Sequence, residues 1–533
     1  MIFELDADQQ AIVNALTGVY ICLAGPGSGK TKIVVARYLN LLMHGISEKD
    51  ILSLTFTAEA AAEMAKRSGV VDAKNVFRTF HSFVLDLMQK EREHVPFKMI
   101  PSILPWEFQD YELRQELART YPVIGKADAL KDYIESQKNQ AITPEQAAAR
   151  ASGVEYFYAL AYRDYERRCR EEGWLDFGSL MDEAVKLLEM NEQVRNRHKR
   201  KYIQVDEFQD TDLIQVKLLT LIFDGNLLVV GDSGQALYEW RGAHPDIMAQ
   251  VPQYFPGAKT MYLGTNYRST GALVEMVKQI TPVDNGLASH MRTSNPYGEK
   301  PTFTKYGDDY EEAVKVLEKV TDPANTAIIA RTNRQLFRFQ QVCFGKGIQC
   351  KVLGKKDFWE QSEVKKLLAL AKGTRFPESY TVPMILKALT IQHRLLEKYR
   401  WSGNPLDPDP ADNLESLYKL AGKHKTVEEL LDNIRRITYG KRGATTKALT
   451  LATAHQAKGR EFDHVFAVGL TEGILPHSKS NHIEEKRVWF VIVSRAAKKL
   501  HVSFYRNPSM FLNDYKDQIV EYRRDTDGVP LSQ

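Results

Sequence analysis

Residues 19–31 have the sequence VYICLAGPGSGKT, a short apolar strand followed by a glycine-rich loop, and an apolar helical stretch follows at 32–45. Glycines allow successive backbone N–H groups to curve around phosphate oxygens, and the start of the helix adds the positive end of its dipole. The order of strand, loop and helix fits the pattern of a phosphate-binding loop. The expected loop consists of Ala24, Gly25, Pro26, Gly27, Ser28, Gly29, Lys30 and Thr31.

Two further acidic residues are expected to complete this site. Lys30 would contact the β and γ phosphates of a nucleotide, and the hydroxyl of Thr31 would ligate Mg²⁺. In KYIQVDEFQD, residues 201–210, an apolar strand brings Asp206 and Glu207 to the carboxyl edge of a sheet, where open α/β sheets bind ligands. Asp206 would hold Mg²⁺ through water, and Glu207 would orient and deprotonate the attacking water. An isolated Asp-Glu pair is usually a solvated turn, so this interpretation depends on the apolar strand and on the phosphate loop.

The rest of the chain has the same rhythm of strand followed by helix, which predicts parallel α/β sheets. One series of apolar runs is VYICLAG, ILSLTF, KYIQVDE, LLVVGD and TMYLGTN, and a second is TAIIART, KALTLATAH, HVFAVGL and KKLHVSFY. A long stretch with helical spacing interrupts each series. We therefore expect two α/β cores, at 1–90 with 171–264 and at 265–371 with 444–533. Their helical insertions would lie at 91–170 and 372–443.

Composition restricts the class of protein without selecting a function. A chain of 533 residues is too long for one hydrophobic core, and 43% hydrophobic with 26% charged residues is ordinary for a globular protein. The formal net charge of +4 neither requires nor excludes nucleic acid. The acidic start MIFELDADQQ does not resemble a signal peptide, and no apolar run approaches the roughly 20 residues that span a bilayer. With four cysteines and no CxxC pair, the expectation is a cytoplasmic protein without a membrane partner.

The order of the motifs indicates a family. After Gln9 in LDADQQAIV come AGPGSGKT, LTFTAEAAAEM, RTFHSF, LDFGSLM, VDEFQD, VVGDSGQALYEWRGA, NYRST and IARTN, and then FWEQSEVKKLL, TAHQAKGREFDHVFAVGLTEGILPH and EEKRVWFVIVSRAAKKL. This series resembles the superfamily 1 helicases of the UvrD/Rep/PcrA group over nearly the whole chain. The resemblance implies two RecA-like P-loop NTPase domains, 1A and 2A, with helical insertions 1B and 2B. It also implies ATP as the cofactor, bound between 1A and 2A.

The resemblance assigns further residues to the ATP site. Gln9 would contact the adenine edge, and Tyr267 would stack on the base. Arg268 and Gln235 would contact the γ-phosphate. Arg495 would act as an arginine finger from 2A, and Glu461 would approach the ribose. For an isolated arginine a surface charge is the commoner role, so the assignment of both arginines depends on the motifs around them.

Single-stranded DNA and junctions between single and double strands are the implied partners. Base stacking on aromatic rings, together with phosphate contacts, holds a single strand without sequence preference. The implied DNA-binding residues are Thr55, Phe56, Thr57, His81, Tyr238, Trp240, Arg241, Thr453 and His455. The alternative for Phe56 and Tyr238 is a place in the hydrophobic core.

The sequence departs from the family in charge and in length. Ala58-Glu59, Ser233-Gly234 and Glu239 replace the commoner Asn-Lys, Ala-Asp and Arg of relatives, so DNA binding should depend less on salt. The second insertion has about half the expected length. We expect 3′→5′ translocation to be intact, and unwinding to be weak or to need a protein partner.

The open alternative is a DNA-sensing ATPase subunit that gates a partner nuclease in a repair or defence complex. A small-molecule kinase would leave the motifs of Tyr267, Trp240 and Arg495 unexplained.

Overall fold

The computed structural model describes residues 3–70, 75–95, 107–123, 126–140, 142–172, 177–237, 246–354, 359, 361–374, 376–377, 379–399, 410–422, 424–439, 448–477 and 480–522. The chain forms two compact units. Unit 1 contains Met1–Tyr267 and Val283–Arg292, and unit 2 contains Arg268–Pro282 and Thr293–Gln533.

A six-stranded parallel sheet forms the centre of unit 1, in the order β3-β2-β4-β5-β1-β6. Its central strands are apolar runs that are buried on both faces, as expected of a sheet covered by helices on both sides. The strands are β1 (Val19–Ala24), β2 (Ile51–Thr55), β3 (Phe77–Thr79), β4 (Arg200–Val205), β5 (Phe223–Gly231) and β6 (Lys259–Leu263).

Helices follow most of these strands, and a long helical stretch separates β3 from β4. The helices of unit 1 are α1 (Ala7–Asn14), α2 (Lys30–Met43), α3 (Ala58–Ser68), α4 (Phe80–Lys90), α5 (Glu107–Thr120), α6 (Lys126–Asn139), α7 (Pro144–Arg150), α8 (Val154–Glu171), α9 (Phe177–Met190), α10 (Glu192–His198), α11 (Leu213–Ile222), α12 (Ile247–Tyr254) and α14 (Leu287–His290). One hydrophobic core joins α1 and α2 to the sheet, and another lies among α5, α6, α7 and α8.

Unit 2 has a seven-stranded parallel sheet in the order β13-β7-β12-β11-β8-β10-β9. The strands are β7 (Thr302–Tyr306), β8 (Thr326–Ala330), β9 (Cys350–Val352), β10 (Leu449–Thr453), β11 (Phe462–Ala467), β12 (Ala496–Tyr505) and β13 (Ile519–Glu521). Residues Leu449–Thr453 are buried throughout, as are Thr326–Ala330, so β8 and β10 form the interior of this sheet.

The helices of unit 2 divide between the sheet and a helical stretch between β9 and β10. They are α13 (Gly271–Gln279), α15 (Asp309–Glu318), α16 (Asn333–Lys346), α17 (Ser362–Gly373), α18 (Val382–Gln392), α19 (Leu395–Lys398), α20 (Pro410–Ala421), α21 (Val427–Tyr439), α22 (Ala454–Ala457) and α23 (His482–Val493). Helices α17, α18, α20 and α21 share one hydrophobic core, whereas α15 and α16 pack on the sheet.

The chain passes between the units three times, after Tyr267, after Pro282 and after Arg292. The returning segment Val283–Arg292 binds tightly to the end of β6. The backbone N–H of Arg292 donates to the carbonyl of Gly264 at 3.1 Å, and the ring of His290 stacks on Tyr262 with 3.9 Å between centroids. A Cβ atom at position 264 would lie 2.0 Å from the carbonyl oxygen of His290, so this contact requires glycine.

The predicted fold class is confirmed, because both sheets are parallel and carry helices. Each apolar run that predicted a strand overlaps one. Four short strands, β3, β7, β9 and β13, were not predicted. Among the residues that the structure describes, no helix combines the length and the apolar character that crossing a membrane requires.

Candidate functional site

The glycine-rich loop of unit 1 is held in shape by three neighbouring groups. The N–H of Gly25 donates to the carbonyl of Leu263 at 3.1 Å, and the N–H of Tyr267 donates to the carbonyl of Gly27 at 3.0 Å. The side-chain amide of Gln9 donates to the carbonyl of Ser28 at 3.1 Å. Gly27 and Gly29 have φ values of 68° and 85°, which favour glycine. No side chain caps the start of helix α2 at Lys30. The first backbone N–H groups of the helix can therefore donate to an anion.

The phosphate loop and the acidic end of β4 meet at Thr31 and Asp206. The Thr31 hydroxyl donates to Oδ2 of Asp206 at 3.0 Å. Burial raises the pKa of Asp206 to about 7, with a further contribution from the charge of Glu207, whereas Lys30 lowers it. The negative charge of Asp206 is thus only partly balanced by neighbouring groups, so a divalent cation would bind favourably beside it.

Mg²⁺ binds to few protein groups and keeps water and phosphate as its other ligands. Thr31 and Asp206 are suitable ligands of this kind. Within the described part of the chain, no cluster of three or more His, Cys, Asp or Glu residues is arranged to hold a metal by itself.

Glu207 and Gln235, both predicted to act near the γ-phosphate, lie at the carboxyl ends of β4 and β5. Glu207 has the left-handed backbone angles φ 54° and ψ 41°, which are rare for residues other than glycine. The amide of Gln235 donates to Oδ2 of Asp232 at 2.7 Å. Gln209, which the sequence did not single out although it stands within VDEFQD, contacts both Glu207 and the backbone of Asp232.

Gln9 and Tyr267, the two predicted adenine contacts, both lie next to Lys32 beside the phosphate loop. Nζ of Lys32 lies 5.8 Å from the centroid of the Tyr267 ring. Gln9 is fully buried, and its Oε1 accepts from Lys32 at 3.3 Å. The Tyr267 hydroxyl donates to Asp6, and burial together with this hydrogen bond raises the pKa of Tyr267 to about 12. The structure thus brings the two predicted adenine contacts to one place and adds Lys32.

Unit 2 brings its predicted ATP-site residues together around Ser494. Nε of Arg268 donates to Oε2 of Glu461 at 2.6 Å, and its Nη1 donates to the carbonyl of Ser494 at 3.1 Å. Arg495 is buried and donates to Oγ of Ser494 at 2.9 Å and to the carbonyls of Val491 and Arg460, both at 3.1 Å. Ser494, which the sequence did not predict, therefore contacts both arginines.

The predicted DNA-binding residues differ in accessibility. Thr55 is buried, and its hydroxyl has no hydrogen-bond partner within the described residues. Thr57 is exposed and accepts the N–H of Ala60 as the N-cap of α3. Phe56, His81 and His455 are half-buried, and Thr453 is the buried N-cap of α22. Phe56 is thus not a fully buried core aromatic. Tyr238, Trp240 and Arg241 lie outside the described residues.

Comparisons with known proteins identify the same family from both ends of the chain. The UvrD/REP helicase N-terminal domain matches residues 5–256, and the UvrD-like helicase C-terminal domain matches residues 261–392 and 385–507. The chain is 27% identical to the ATP-dependent DNA helicase Rep of Escherichia coli K12, over 93% of this chain and 90% of Rep. It is 25% identical to the ATP-dependent DNA helicase PcrA of Bacillus subtilis, over 95% of this chain and 83% of PcrA.

A third relative, DNA helicase II of Escherichia coli K12, is 25% identical, over 97% of this chain and 88% of that helicase. The alignment with Rep extends over 608 positions, although this chain has only 533 residues. Rep therefore carries internal residues that this chain lacks.

Proposed function

The chain belongs to the UvrD/Rep/PcrA family of ATP-dependent DNA helicases, and from this premise we propose that it is a motor that moves 3′→5′ along single-stranded DNA. The observation that carries the proposal is the hydrogen bond from Thr31 to Asp206, which joins the phosphate loop to the acidic end of β4. This arrangement suits phosphoryl transfer, where catalysis depends mainly on positioning and charge neutralisation.

ATP would supply the phosphoryl group, and Mg²⁺ would neutralise charge on the phosphate oxygens. In the proposed mechanism, Lys30 and the loop of residues 24–31, through backbone N–H groups such as those of Gly27, Gly29 and Thr31, would bind the phosphates, while Thr31 and Asp206 would hold Mg²⁺. Glu207 orients a water molecule and accepts its proton. Gln9 and Tyr267 hold the adenine. Contacts to the γ-phosphate are assigned to Gln235, Arg268 and Arg495, and a contact to the ribose is assigned to Glu461.

Hydrolysis in this mechanism requires groups from both units, since Glu207 belongs to unit 1 and Arg495 to unit 2. An arginine finger contributes about 10³–10⁵ in rate, so turnover would be slow unless both units engage the nucleotide. This requirement would couple each ATP cycle to a movement of one unit relative to the other, and therefore to a step along DNA.

The proposed DNA track uses aromatic stacking and hydroxyl contacts. Phe56, Tyr238 and Trp240 would stack on bases, His81 and Arg241 would lie along the strand, and Thr55, Thr57 and Thr453 would donate to phosphates. His455 would link the strand to the ATP site. Thr55 needs a local rearrangement for this role, because its hydroxyl is buried.

We further propose that unwinding by the isolated chain is weaker than translocation. The shortened second insertion and the length difference from Rep support this proposal. The replacement of Asn-Lys by Ala58-Glu59 removes a positive charge beside Phe56. A shallower dependence of DNA affinity on salt should result, which titration at several salt concentrations would measure.

The central test is Glu207→Gln, with ATPase measured with and without single-stranded DNA. The variant should bind ATP and DNA normally and hydrolyse ATP about 10²–10⁴-fold more slowly, since general base catalysis contributes this much. Glu192→Gln, at the exposed start of α10, is the matched control and should behave as wild type. Normal turnover by Glu207→Gln would refute the proposed mechanism.

Polarity and unwinding need separate measurements. A 3′→5′ motor should displace streptavidin from the 5′ end of a biotinylated single strand and leave it on the 3′ end. Under single-turnover conditions, the purified chain should displace short duplexes with 3′ tails but few long ones. Robust displacement of long duplexes would contradict weak unwinding, and displacement from the 3′ end would contradict the polarity.

A further inference from the structure

The side-chain amide of Gln209 bridges the proposed general base and the end of the next strand. Its Nε2 donates to Oε2 of Glu207 at 2.5 Å, and its Oε1 accepts the backbone N–H of Asp232 at 3.0 Å. Gln209 is fully buried. We propose that Gln209 is a positioning residue that fixes the carboxylate of Glu207 for the activation of water. This inference rests on the proposed role of Glu207.

The orientation of this amide is determined by its neighbours. A backbone N–H can only donate, so the oxygen of Gln209 has to face Asp232 and the NH₂ group has to face Glu207. A hydrogen bond to a charged carboxylate is stronger and more directional than a bond between neutral groups. The amide therefore holds one oxygen of Glu207 in a defined place.

The packing around Gly231 shows that the amide of Gln209 has little room to move. A Cβ atom at position 231 would lie 2.5 Å from Oε1 of Gln209 and 3.0 Å from the sulfur of Met248. The amide thus packs directly on the backbone at the end of β5. A substitution at Gly231 is expected to displace it.

Glu207 is restrained at its backbone as well as at its side chain. Its N–H donates to Oδ1 of Asp206 at 3.0 Å, and its φ of 54° turns the residue away from the line of β4. Gln209 Nε2 restrains the carboxylate end by its hydrogen bond to Oε2. Since a displacement of about 1 Å at a reacting group can cost about 10²-fold in rate, loss of this contact should affect turnover.

The same network extends to Gln235. Asp232 binds Gln209 through its backbone N–H and Gln235 through its carboxylate, the latter at 2.7 Å. The carboxylate of Asp232 also accepts the N–H of Gly234 at 2.9 Å, which holds the turn closed. If contact with the γ-phosphate displaced Gln235, Asp232 would move with it. Gln209, which is bonded to Asp232, would then shift the carboxylate of Glu207.

One substitution of Gln209 tests the inference directly. Gln209→Met keeps the shape and removes both hydrogen bonds, so kcat for ATP should fall about 10–100-fold while the KM for ATP stays within about threefold. A purely structural role would not separate kcat from KM in this way, since a loosened site would bind ATP more weakly as well.

A double substitution separates this inference from the proposed function. In the Glu207→Gln background, Gln209→Met should add little further loss, because no general base remains to be positioned. Melting temperature and binding of a non-hydrolysable ATP analogue verify folding in each variant.

Two outcomes would overturn the inference. One is wild-type kcat in Gln209→Met. The other is a full additional loss when Gln209→Met is combined with Glu207→Gln. Slow turnover in Glu207→Gln alongside any of these would leave the proposed function intact. Normal turnover in Glu207→Gln would instead refute the proposed function itself.

Discussion

Arg268 and Glu461 are bonded to each other, Nε to Oε2 at 2.6 Å, although the sequence predicts separate contacts to the γ-phosphate and the ribose for them. The side chain of Glu461 is 65% exposed, whereas that of Arg268 is 16% exposed. Because Glu461 is largely exposed, solvent screens its attraction to Arg268, so a nucleotide can replace Glu461 at small cost. ATP would then compete with Glu461 for the guanidinium of Arg268.

Glu461→Ala should therefore affect ATP and ADP unequally. Loss of a ribose contact should weaken the binding of both nucleotides, by about tenfold for ADP. The loss of affinity should be about threefold smaller for ATP, because Arg268, once released from Glu461, can contact the γ-phosphate of ATP. Equilibrium binding of both nucleotides measures the difference. A larger loss for ATP than for ADP would contradict competition for Arg268.

Lys32 and Tyr267 should control affinity for the base rather than turnover. Lys32→Ala should raise the KM for ATP about three- to tenfold with kcat retained, because the cation above the ring is lost. Lys32→Arg should lower the KM, since a planar guanidinium stacks better than an ammonium group. Tyr267→Phe, which keeps the ring, should be milder than Tyr267→Ala. A fall in kcat without a change in KM would refute this assignment.

The buried ion pair of Arg331 and Glu485 should be important for the stability of unit 2. Arg331 donates from Nε and Nη2 to Glu485 at 2.8–3.1 Å, and Glu485 is fully buried. Removal of one partner leaves an uncompensated buried charge, so Glu485→Ala should cost about 3–5 kcal/mol of unfolding free energy. Asp432→Ala, from the exposed pair with Arg435, is the control and should cost less than about 1 kcal/mol. Similar urea midpoints for the two variants would contradict the prediction.

Glu312 should make the stability of unit 2 depend on pH. Its Oε1 accepts the Ser503 hydroxyl at 2.6 Å and the N–H of Gly469 at 2.9 Å, and burial raises its pKa to about 7. In the unfolded chain the pKa of this group is about 4.3. Between about pH 4.3 and pH 7, the folded protein therefore binds more protons at Glu312 than the unfolded chain does. The stability that this group contributes is complete below about pH 4.3, falls as the pH rises to about 7, and stays lost above it.

Glutamine remains neutral and keeps an acceptor oxygen at this position. The stability of Glu312→Gln relative to wild type should therefore improve by about 2–3 kcal/mol between pH 5 and pH 8. Glu318→Gln on the same helix is the control. Hydrogen bonds from Lys315 and Lys346 lower the pKa of Glu318. The stability of Glu318→Gln relative to wild type should therefore not improve as the pH rises. An unchanged difference for Glu312→Gln across this range would contradict the prediction.

The predicted strands share a physical property that three of the missed strands lack. β1 and β8 are apolar runs within a sheet, and such runs are visible in a sequence. β3, β9 and β13 are three-residue strands at the sheet edges, and none has a continuous apolar signal. β7 lies inside its sheet, but its alternating sequence TFTKY is only partly buried.

The placement of candidate site residues was predictable where they stand within one short motif. Lys30, Thr31, Asp206 and Glu207 stand in short motifs whose local order predicts their roles. The role of Gln209 depends on Asp232, which is near only because β4 pairs with β5. The contact of Ser494 with both arginines likewise depends on the fold of unit 2. Contacts between strands distant in sequence carry no signal in a single chain.

The return of the chain to unit 1 at Val283–Arg292 has a consequence for synthesis on the ribosome. Unit 1 cannot finish folding until Arg292 has emerged, and by then helix α13 of unit 2 has already emerged. The buried face of α13, with Leu273, Met276 and Val277, packs against α23 and β12, which are synthesised about 200 residues later. Folding proceeds from the N-terminus, so this apolar face stays uncovered while most of unit 2 is being made. The nascent chain should therefore bind chaperones at α13 until β12 is complete.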